Sequence, residues 1–528
     1  MIIGSVRLIP VLVSTLGILA AFLSGCGGCS GSMLSGDAAE QREASDDAYT
    51  ADDLSAVEDL VEDTAELPGE EAADAPEEVQ DIPDIPIDTS CFEWPSQFDP
   101  GEVQVVTWIS EYGGDTSDQP RSIRQTPDGG FVAVGHTDSS GMSGDAFWII
   151  RLDARGEVIW QKALDGPEYE LGSSVDMTPD GGFIIAGSVQ FQSPIENDFM
   201  VAKLTQDGGL EWTRVFGCSH WGIGESPQIV TCSDGGFLFA GTSTPLDPTN
   251  LTTWIVKFDA AGGILWEKTY DCGRCARDCV PCVGRDIKQT ADGDFVAAGY
   301  INEWDLGTDF FVLKIDGTGN LQWRKAYGGT NNDDAKSITQ ASDCGYVVAG
   351  VSEGEEENAM VIKIDGDSRL VHYGSFGGNG HARLKSIART PDGGFAFGGW
   401  TMPAEVDIRA WILKTDSMFN IVWQYLYGQG DVLSLGYAFD GGLVAACAGF
   451  SEGIPGPSDV RIIKMDASGY PGEGCPDGFW VPSTAGPVDY SVTEREISVD
   501  VTDTSAHFHE PDLALIDTDA EPTRVCGP

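Results

Sequence analysis

The sequence predicts an all-β fold made of repeated four-stranded units, and three observations support this prediction. A basic residue is followed nine positions later by a Trp or a His in six repeats. An Asp-Gly-Gly turn or a near variant recurs between these pairs, every 48 to 58 residues. The intervening segments are short and apolar, and no helical period is evident after the first 36 residues. The pairs are Arg151–Trp160, Lys203–Trp212, Lys257–Trp266, Lys314–Trp323, Lys363–His372 and Lys414–Trp423, with Lys464 as a seventh basic residue.

Each repeat has room for four strands, as the first one illustrates. Its two turns are Pro127–Gly130, where the glycines accept positive φ, and Asp153–Gly156. The strands predicted around these turns are Ser122–Thr126, Phe131–Gly135, Phe147–Leu152 and Val158–Leu164. Repeats of about 50 residues with four antiparallel strands are typical of β-propeller blades.

A surplus strand at the start predicts how the ring closes. Gly101–Trp108 resembles the fourth strand of a repeat, with Trp108 at the aromatic position. The last repeat ends after its third strand, Val460–Met465. If the N-terminal strand completes this last blade, neither end of the chain leaves an open sheet edge. The sequence therefore predicts a seven-bladed β-propeller over residues 91–474, closed by its N-terminal strand.

The recurring tryptophan is predicted to pack between neighbouring blades. Its large ring suits a position that recurs in nearly every unit, and the indole N–H can reach a backbone carbonyl. An aromatic platform for a ligand is the alternative. The one departure, His372, is interpreted as a tolerated gap in this packing.

The repeat resembles a family of secreted bacterial and archaeal β-propeller proteins. The best copy contains Tyr327-Gly-Gly329, Asp334-Ala-Lys-Ser-Ile338, Phe311-Val-Leu-Lys-Ile-Asp316 and Trp323. The resemblance covers residues 101–470 and implies the propeller fold, but no particular activity. Part of the unit, Asp153-x-x-Gly156-x-x-x-Trp160, is similar to the tryptophan-docking motif of quinoprotein dehydrogenases. Their adjacent Cys-Cys pair is absent from this sequence, so that likeness concerns packing alone.

Residues 1–25 are predicted to be a lipoprotein signal peptide. Arg7 precedes an apolar run, Leu8–Phe22, that is too short to span a bilayer as a stable helix. Leu23-Ser-Gly-Cys26 matches the lipobox of bacterial lipoproteins, which implies cleavage before Cys26 and lipidation of its thiol. An ordinary secretory signal with an incidental cysteine is the alternative. Gly27 favours the outer membrane or the cell surface of a bacterial envelope, if the sorting rules of enteric bacteria apply.

The formal net charge of −54 is unevenly distributed. Residues 37–90 contain 20 acidic residues and one Arg, so residues 26–90 are expected to form a disordered, extended linker after the lipidated cysteine. Residues 475–528 contain 11 acidic residues and two Arg, and are expected to form an acidic, mostly irregular tail. An acidic propeller argues against nucleic acid as a partner, and a monomer is expected.

Cysteines in an exported chain predict disulfide bonds. Cys218 and Cys232 flank one loop and are plausible partners. Cys475 and Cys526 bracket the tail and could hold it to the propeller, although Cys91 is an alternative partner for Cys475.

A second group of cysteines has C-x2-C-x3-C-x2-C spacing. Two local disulfides are predicted there, and a zinc or iron–sulfur site or a redox-active pair are the alternatives. The spacing departs from that of bacterial ferredoxins, and zinc ribbons need a longer gap between their pairs. The group comprises Cys272, Cys275, Cys279 and Cys282.

The strand order places two kinds of connection on opposite faces. The Asp-Gly-Gly and Asp-x-x-Gly turns share one face and are uniform, whereas the loops of the other face vary widely within the chain. Any ligand is therefore expected on this variable face. Aromatic and imidazole side chains there are candidates for contacts with sugars or peptides, and ordinary loop packing is the alternative. The candidates are Tyr169, His220, Trp221, Trp304 and Trp400.

No catalytic motif is evident. The sequence lacks an H-E-x-x-H pair, a Walker loop and a twelve-residue calcium loop, and no cofactor is expected. His507-Phe-His509-Glu510 is a weak candidate for metal chelation. The sequence thus predicts a membrane-anchored, extracytoplasmic, non-enzymatic module that binds a protein or polysaccharide or acts as a scaffold. An extracytoplasmic hydrolase or lyase with its site on the variable face is the alternative.

Overall fold

The computed structural model describes most of the chain from residue 105 onwards. The predicted signal peptide, Cys26 and the acidic linker lie outside the described residues. The described ranges are 105–113, 116–138, 145–165, 169–192, 195–217, 227–243, 251–271, 282–303, 307–377, 380–403, 407–449, 459–475, 479–483, 486–488, 492–496, 500–503, 507–509, 514–517 and 523–526.

All secondary structure in these ranges is β-strand, which confirms the expected all-β class. None of the described residues forms a helix with the length and apolarity needed to cross a bilayer. After β1 (Trp108–Tyr112), the strands follow one another in units of four.

Unit 1 contains β2 (Asp118–Gln125), β3 (Phe131–Thr137), β4 (Ala146–Leu152) and β5 (Val158–Asp165). Unit 2 contains β6 (Tyr169–Met177), β7 (Phe183–Gln192), β8 (Ile195–Leu204) and β9 (Leu210–Gly217). Unit 3 contains β10 (Gln228–Thr231), β11 (Phe237–Ser243), β12 (Thr252–Phe258) and β13 (Ile264–Asp271). Unit 4 contains β14 (Cys282–Gln289), β15 (Phe295–Glu303), β16 (Gly307–Ile315) and β17 (Leu321–Gly328).

Unit 5 contains β18 (Asn332–Gln340), β19 (Tyr346–Glu353), β20 (Glu357–Ile364) and β21 (Leu370–Gly377). Unit 6 contains β22 (Gly380–Arg389), β23 (Phe395–Pro403), β24 (Arg409–Thr415) and the first part of β25 (Ile421–Tyr437). Unit 7 contains the second part of β25, β26 (Leu443–Gly449), β27 (Asp459–Met465) and β1.

All pairings within the units are antiparallel and join neighbouring strands. Two strands, β25 and β1, depart from the simple order of four consecutive strands per unit. The strand β25 changes sheet, because Gly430 takes a φ of 144° that a residue with a side chain rarely adopts. The strand β1 pairs with β27, and Trp108 lies opposite Lys464. The first strand described in the chain therefore serves as the fourth strand of its last unit.

Buried apolar clusters lie between consecutive units rather than within them. In unit 1 and unit 2, for example, Phe147 and Val134 pack with Phe183 and Val215. The described residues form seven such clusters, and one of them joins unit 7 to unit 1 through Trp108, Ile123 and Ile462. Each unit thus buries its two faces against its two neighbours.

The recurring tryptophan fastens each unit to the next one. The indole N–H of Trp108 donates to the Ala154 carbonyl at 3.0 Å, inside the Asp-x-x-Gly turn of unit 1. Its ring covers Gly156, where an added Cβ would lie 2.9 Å from the ring and where φ is +79°. Only a residue without a side chain allows this close approach. The same bond joins Trp160 to Gln206, Trp266 to Gly317 and Trp423 to Ala467.

His372 departs from this pattern together with its partner in unit 6. The turn that it contacts has Phe419 in place of the glycine, still at a positive φ of 63°. The two rings stack with centroids 5.3 Å apart, and the Nε2–H of His372 donates to the Met418 carbonyl at 2.9 Å. A smaller ring on one unit is therefore matched by a larger side chain on the next, so the expected gap is filled.

The repeated basic residue forms an ion pair with the aspartate of the Asp-Gly-Gly turn in its own unit. In unit 7, Lys464 lies 2.7 Å from Asp440, and both side chains are largely buried. Burial lowers the pKa of Lys464, and the aspartate opposes that effect. The other pairs are Arg151–Asp128, Lys203–Asp180, Lys257–Asp234, Lys314–Asp292, Lys363–Asp343 and Lys414–Asp392.

The tail contains seven short strands, which the expectation of a mostly irregular segment did not include. Each adds a fifth, antiparallel strand to the outer edge of one unit, in the order 6, 5, 4, 3, 2, 1, 7. The tail therefore makes one full circuit of the outer edges. The strands are β28 (Trp480–Pro482), β29 (Gly486–Pro487), β30 (Thr493–Glu496), β31 (Asp500–Asp503), β32 (His507–His509), β33 (Ala514–Asp517) and β34 (Thr523–Cys526).

A disulfide bond between Cys475 and Cys526 closes this circuit. Of the two partners that the sequence left open for Cys475, the structure has Cys526, and Cys91 lies outside the described residues. Side chains reinforce the circuit at unit 4, where Arg495 lies 2.7 Å from Asp309 and Glu494 lies 3.2 Å from Lys325. We call residues 475–526 the belt.

The interface between units 5 and 6 has His372 and Phe419 where most other interfaces have Trp and Gly. We therefore expect the effects of these two residues on the free energy of unfolding to be strongly coupled. His372→Trp should destabilise the fold because the larger ring meets Phe419, and Phe419→Gly should destabilise it because a buried ring is lost. The double variant restores the Trp–Gly pair found at most of the other interfaces, such as Trp108 with Gly156. Its loss in free energy of unfolding should therefore be about 1–2 kcal/mol smaller than the sum of the single losses in denaturant titrations. Simple additivity would contradict this account of the interface.

The belt predicts a strong effect of its disulfide on stability. Replacing both cysteines, in Cys475→Ser/Cys526→Ser, removes the closure of a loop of 51 residues. The free energy of unfolding should fall by about 4 kcal/mol on the chain-entropy model. Limited proteolysis followed by mass spectrometry should show cleavage within the belt before any cleavage in units 1–7. Ser468→Ala, in an exposed turn, serves as the matched control, and equal protease resistance of the double variant would contradict the closure role.

Candidate functional site

The first strands of the units are bent by β-bulges, and each bulge redirects one side chain. The register of β2 shifts between Pro120 and Ser122, so Arg121 has no partner residue on β3. A bulge leaves its extra residue outside the ladder and turns it away from the sheet. The bulged residues of the six shifted strands are Arg121, Ser173, Arg285, Lys336, Lys385 and Leu433.

Hydrogen bonds between units hold the bulged segments in place. The amide of Ile123 donates to Ser434 Oγ of unit 7 at 3.2 Å, and the amide of Leu435 donates to Ser386 Oγ of unit 6 at 2.9 Å. In unit 5, the amide of Ile338 donates to a carboxylate, Asp286 of unit 4, at 3.0 Å. These bonds join neighbouring first strands directly, so each of these bulged segments is held by the unit beside it.

The first strands of all seven units surround one cavity of about 490 Å³. A smaller space of about 190 Å³ adjoins it and is lined by the six bulged residues together with Gln228 of β10. We call the two spaces together the axial cavity. Its larger part is lined by the ends of the first strands that lead into the Asp-Gly-Gly turns, including Gln125, Gln289 and Phe439. The larger part of the cavity therefore lies on the side of the uniform turns.

Basic side chains dominate the titratable lining of the axial cavity. The bulges supply Arg121, Arg285, Lys336 and Lys385. Three further cations lie closer to the turns, and the carboxylates that line the cavity are Asp176 and Asp286. The three cations are Arg124, Lys288 and Arg389.

Carboxylates behind the lining position several of these cations. Asp334 lies 3.2 Å from Arg285 and 2.5 Å from Lys336, whereas Asp431 is paired with Lys385. Burial raises the pKa of Asp431, and the ammonium of Lys385 opposes this effect.

Burial also lowers the pKa of two guanidinium groups in the cavity. It lowers the pKa of Arg121, which nearby Asp431 raises again only in part. It lowers the pKa of Arg389 to about 10. Removal from water disfavours the charged form of a base, so both groups would gain from an anion in the cavity.

Tyr169 and Trp400, the two described residues among those predicted for the variable face, do not line the axial cavity. Tyr169 is exposed at the start of β6. Trp400 lies under the guanidinium of Arg383, 5.7 Å from its ring centroid, and this guanidinium is bound by Glu357. His220, Trp221 and Trp304 lie outside the described residues, and binding on the variable face stays a prediction.

The predicted pairing of Cys218 with Cys232 is wrong, because Cys232 is a free, buried thiol. Cys232 occupies the position before the Asp-Gly-Gly turn where other units have a threonine, such as Thr126 and Thr178, and it packs in the cluster between units 3 and 4. Burial raises the pKa of this thiol to about 12. Cys218 lies outside the described residues.

Other cysteines and possible metal ligands can be placed only in part. Cys282 and Cys344 each form a disulfide bond, whereas Cys272, Cys275 and Cys279 lie outside the described residues. Within the described ranges, no three His, Cys, Asp or Glu side chains come together as a metal site. The lining of the axial cavity instead suits anions, since Arg and Lys donate hydrogen bonds and accept none.

Sequence reasoning did not find the axial cations. Their signal is a basic residue directly before the Ser-Ile or Asp-Ile step of the first strand, as in Arg121-Ser-Ile123 and Lys336-Ser-Ile338. The bulge at this step gives the residue its function, and the printed sequence does not reveal bulges.

Comparisons with known proteins give distant likenesses only. No family model matches the chain, and no curated protein matches it. A protein of unknown function from Dyadobacter fermentans is 14% identical, with a TM-score of 0.40, over 57% of this chain and 96% of its own. The periplasmic gluconolactonase of Pseudomonas aeruginosa is 13% identical, with a TM-score of 0.37, over 60% and 95%. An α-L-arabinofuranosidase of Fusarium graminearum is 12% identical, with a TM-score of 0.38, over 58% and 96%, and such scores carry no argument about function.

Proposed function

We propose that this chain is a lipid-anchored, extracytoplasmic β-propeller of seven blades that binds a ligand in its axial cavity. The observation that carries the proposal is the polar cavity of about 490 Å³ that the first strands of all seven units surround. Its volume is within the range of sites that hold small ligands or the end of a chain. The proposed site lies on the uniform face, and the variable loops remain available to a protein or polysaccharide partner.

Two observations support the propeller with seven blades, closed by the N-terminal strand. The apolar clusters join each unit to the next, including unit 7 to unit 1. The strand β1 completes the last unit by pairing with β27. Both features are expected when a ring is closed by strands from the two ends of a repeat array. We also propose membership of the secreted propeller-repeat family, on the motifs quoted above.

The proposed location rests on the sequence alone. The Leu23-Ser-Gly-Cys26 segment supports lipidation at Cys26, and the acidic residues that follow support an extended linker between the anchor and the propeller. We propose the outer membrane or the cell surface as its site, with the membrane contacted only through the lipid.

The carboxylates around the cavity favour a binding function over a hydrolase or lyase reaction, because each of them already has partners within the protein. Asp286 accepts hydrogen bonds from Ser337 at 2.9 Å and from the Ile338 amide at 3.0 Å. Asp334 and Asp431 are each paired with a cation. A general acid or base must be free to reach the substrate, and these carboxylates are already engaged by groups of the protein. We therefore propose a binding module as the main function.

The proposed lipid anchor predicts that replacing the Cys26 thiol changes the cell fraction in which the protein is found. Cys26→Ser should move the protein from the membrane fraction to the soluble fraction of lysed cells, since nothing else is proposed to hold it. Cys29→Ser, three residues further on, is the matched control and should leave the protein in the membrane fraction. Retention of Cys26→Ser in the membrane after a carbonate wash would contradict lipid anchoring.

The binding function predicts a ligand whose affinity depends on the axial cavity. The purified full chain should bind at least one component of an array of glycans and cell-envelope fragments, without consuming it. Lys288→Met should weaken that binding about tenfold because Lys288 lines the cavity. Trp400→Ala, on the variable face, should leave it unchanged. The reverse pattern would return the site to the variable loops, and turnover of a bound component would favour the hydrolase or lyase.

A further inference from the structure

The charge of the axial cavity is opposite to that of the protein around it. The whole chain has a net charge of −54, and the belt and linker are both acidic. Among the described residues, seven cations line the axial cavity, and four carboxylates line it or lie directly behind. A chain that is so rich in acidic residues therefore concentrates a local excess of positive charge at one place.

The cations form two tiers along the first strands. In unit 1, Arg121 belongs to the bulge tier and Arg124 to the tier nearer the turns. In unit 4, Arg285 and Lys288 repeat this spacing of three residues. Three residues of a β-strand rise about 10 Å, so the two tiers are separated by roughly that distance.

We propose that the axial cavity binds a ligand with two acidic groups, carboxylate or phosphate, up to about 10 Å apart. One group contacts the bulge tier and the other contacts the tier nearer the turns. The inference rests on the proposed function and names the ligand class of the same site. Guanidinium groups present paired donors that match both carboxylate and phosphate, and lysines add point charges.

The walls of the cavity strengthen this attraction. The cations are partly buried, with side-chain exposures of 20% for Lys336 and 29% for Lys385, so water screens them less than it screens a surface charge. The carboxylates that pair with them also hold them in place before a ligand arrives. Cations that are already positioned lose little freedom on binding, which favours affinity.

The variation among the bulged residues offers a way to change the site without disturbing the fold. Leu433 and Ser173 occupy the same ring as the four cations of the bulge tier. Because bulged residues lie outside the ladder, strand pairing restricts their side chains less than those of their neighbours. Leu433→Lys would add a fifth cation to the tier, and Lys288→Met would remove one from the other tier.

The test is isothermal titration calorimetry of the full chain with anions of known shape, at neutral pH and constant ionic strength. The probes are acetate, dicarboxylates of increasing length from succinate to suberate, inorganic phosphate and pyrophosphate. The dianions should bind at least about tenfold more tightly than acetate. Preference for one dicarboxylate length would identify a carboxylate ligand, and preference for pyrophosphate would identify a phosphate ligand. Equal, weak binding of all probes would overturn the proposal.

Variants that remove or add a cation test whether the anions bind in the axial cavity. Lys288→Met should weaken the best dianion about tenfold, and Leu433→Lys should tighten it. Arg369→Gln removes an exposed cation outside the cavity and should change nothing. The thermal stability of each variant is measured beside that of the unaltered chain, so that a folding defect is recognised. If both cavity variants bind as the unaltered chain does, the two-tier site is wrong.

The same variants separate this inference from the proposed function. An envelope component that loses affinity in Lys288→Met, together with dianions that bind no better than acetate, would leave the cavity as the binding site and overturn its anionic ligand. Failure of both sets of measurements would overturn the proposed function as well.

Discussion

The contact of an aromatic ring with the turn of the next unit is the interaction on which the rest of the structure depends. Trp108 covers Gly156 and donates to Ala154, and Tyr112 adds a hydrogen bond of 2.6 Å to the Gly156 carbonyl. This contact fixes the position of each unit relative to its neighbour, and the first strands then meet at one cavity. Between units 5 and 6 both partners differ, yet the contact persists through His372 and Phe419. The geometry of the interface is thus retained even where its residues change.

The belt answers a different problem, that of the outer edges. Each fourth strand would otherwise leave unpaired backbone groups at the periphery of its unit, and such edges promote aggregation. The belt pairs with every one of them, and Cys475–Cys526 returns it to its starting unit. Its cohesion comes from backbone hydrogen bonds and a few anchors, such as Trp480 on Tyr425 with centroids 4.6 Å apart. An acidic, weakly apolar sequence is sufficient for that role, since little of it enters a core.

The repeated units and their interfaces could be predicted from the sequence, whereas the belt could not. The units, the turn glycines and the fourth strand supplied by Trp108 follow from periodic apolar residues, because local packing repeats with the sequence. The strands of the belt did not follow, because pairing through the backbone leaves no apolar period to detect. The ion pairs, such as Lys464 with Asp440, involve two repeated residues that the sequence displays without their contact. Cys232 was assigned to a disulfide because its neighbourhood in the core was hidden.

The axial cations were hidden for a related reason, and their variation suggests where specificity is located. Positions that differ among otherwise similar repeats are positions that packing does not restrict. By this criterion, the sequence predicted a ligand site on the variable loops. The bulged residues satisfy it more strictly, because they diverge while each is followed by Ser or Asp and then by Ile, Val or Leu. Lys336 and Leu433 each precede a serine whose Oγ is hydrogen-bonded to the neighbouring unit. A scaffold that is held constant beside a variable side chain is suited to present that side chain to a ligand. The bulges at the axis therefore combine a fixed backbone position with a choice of side-chain chemistry.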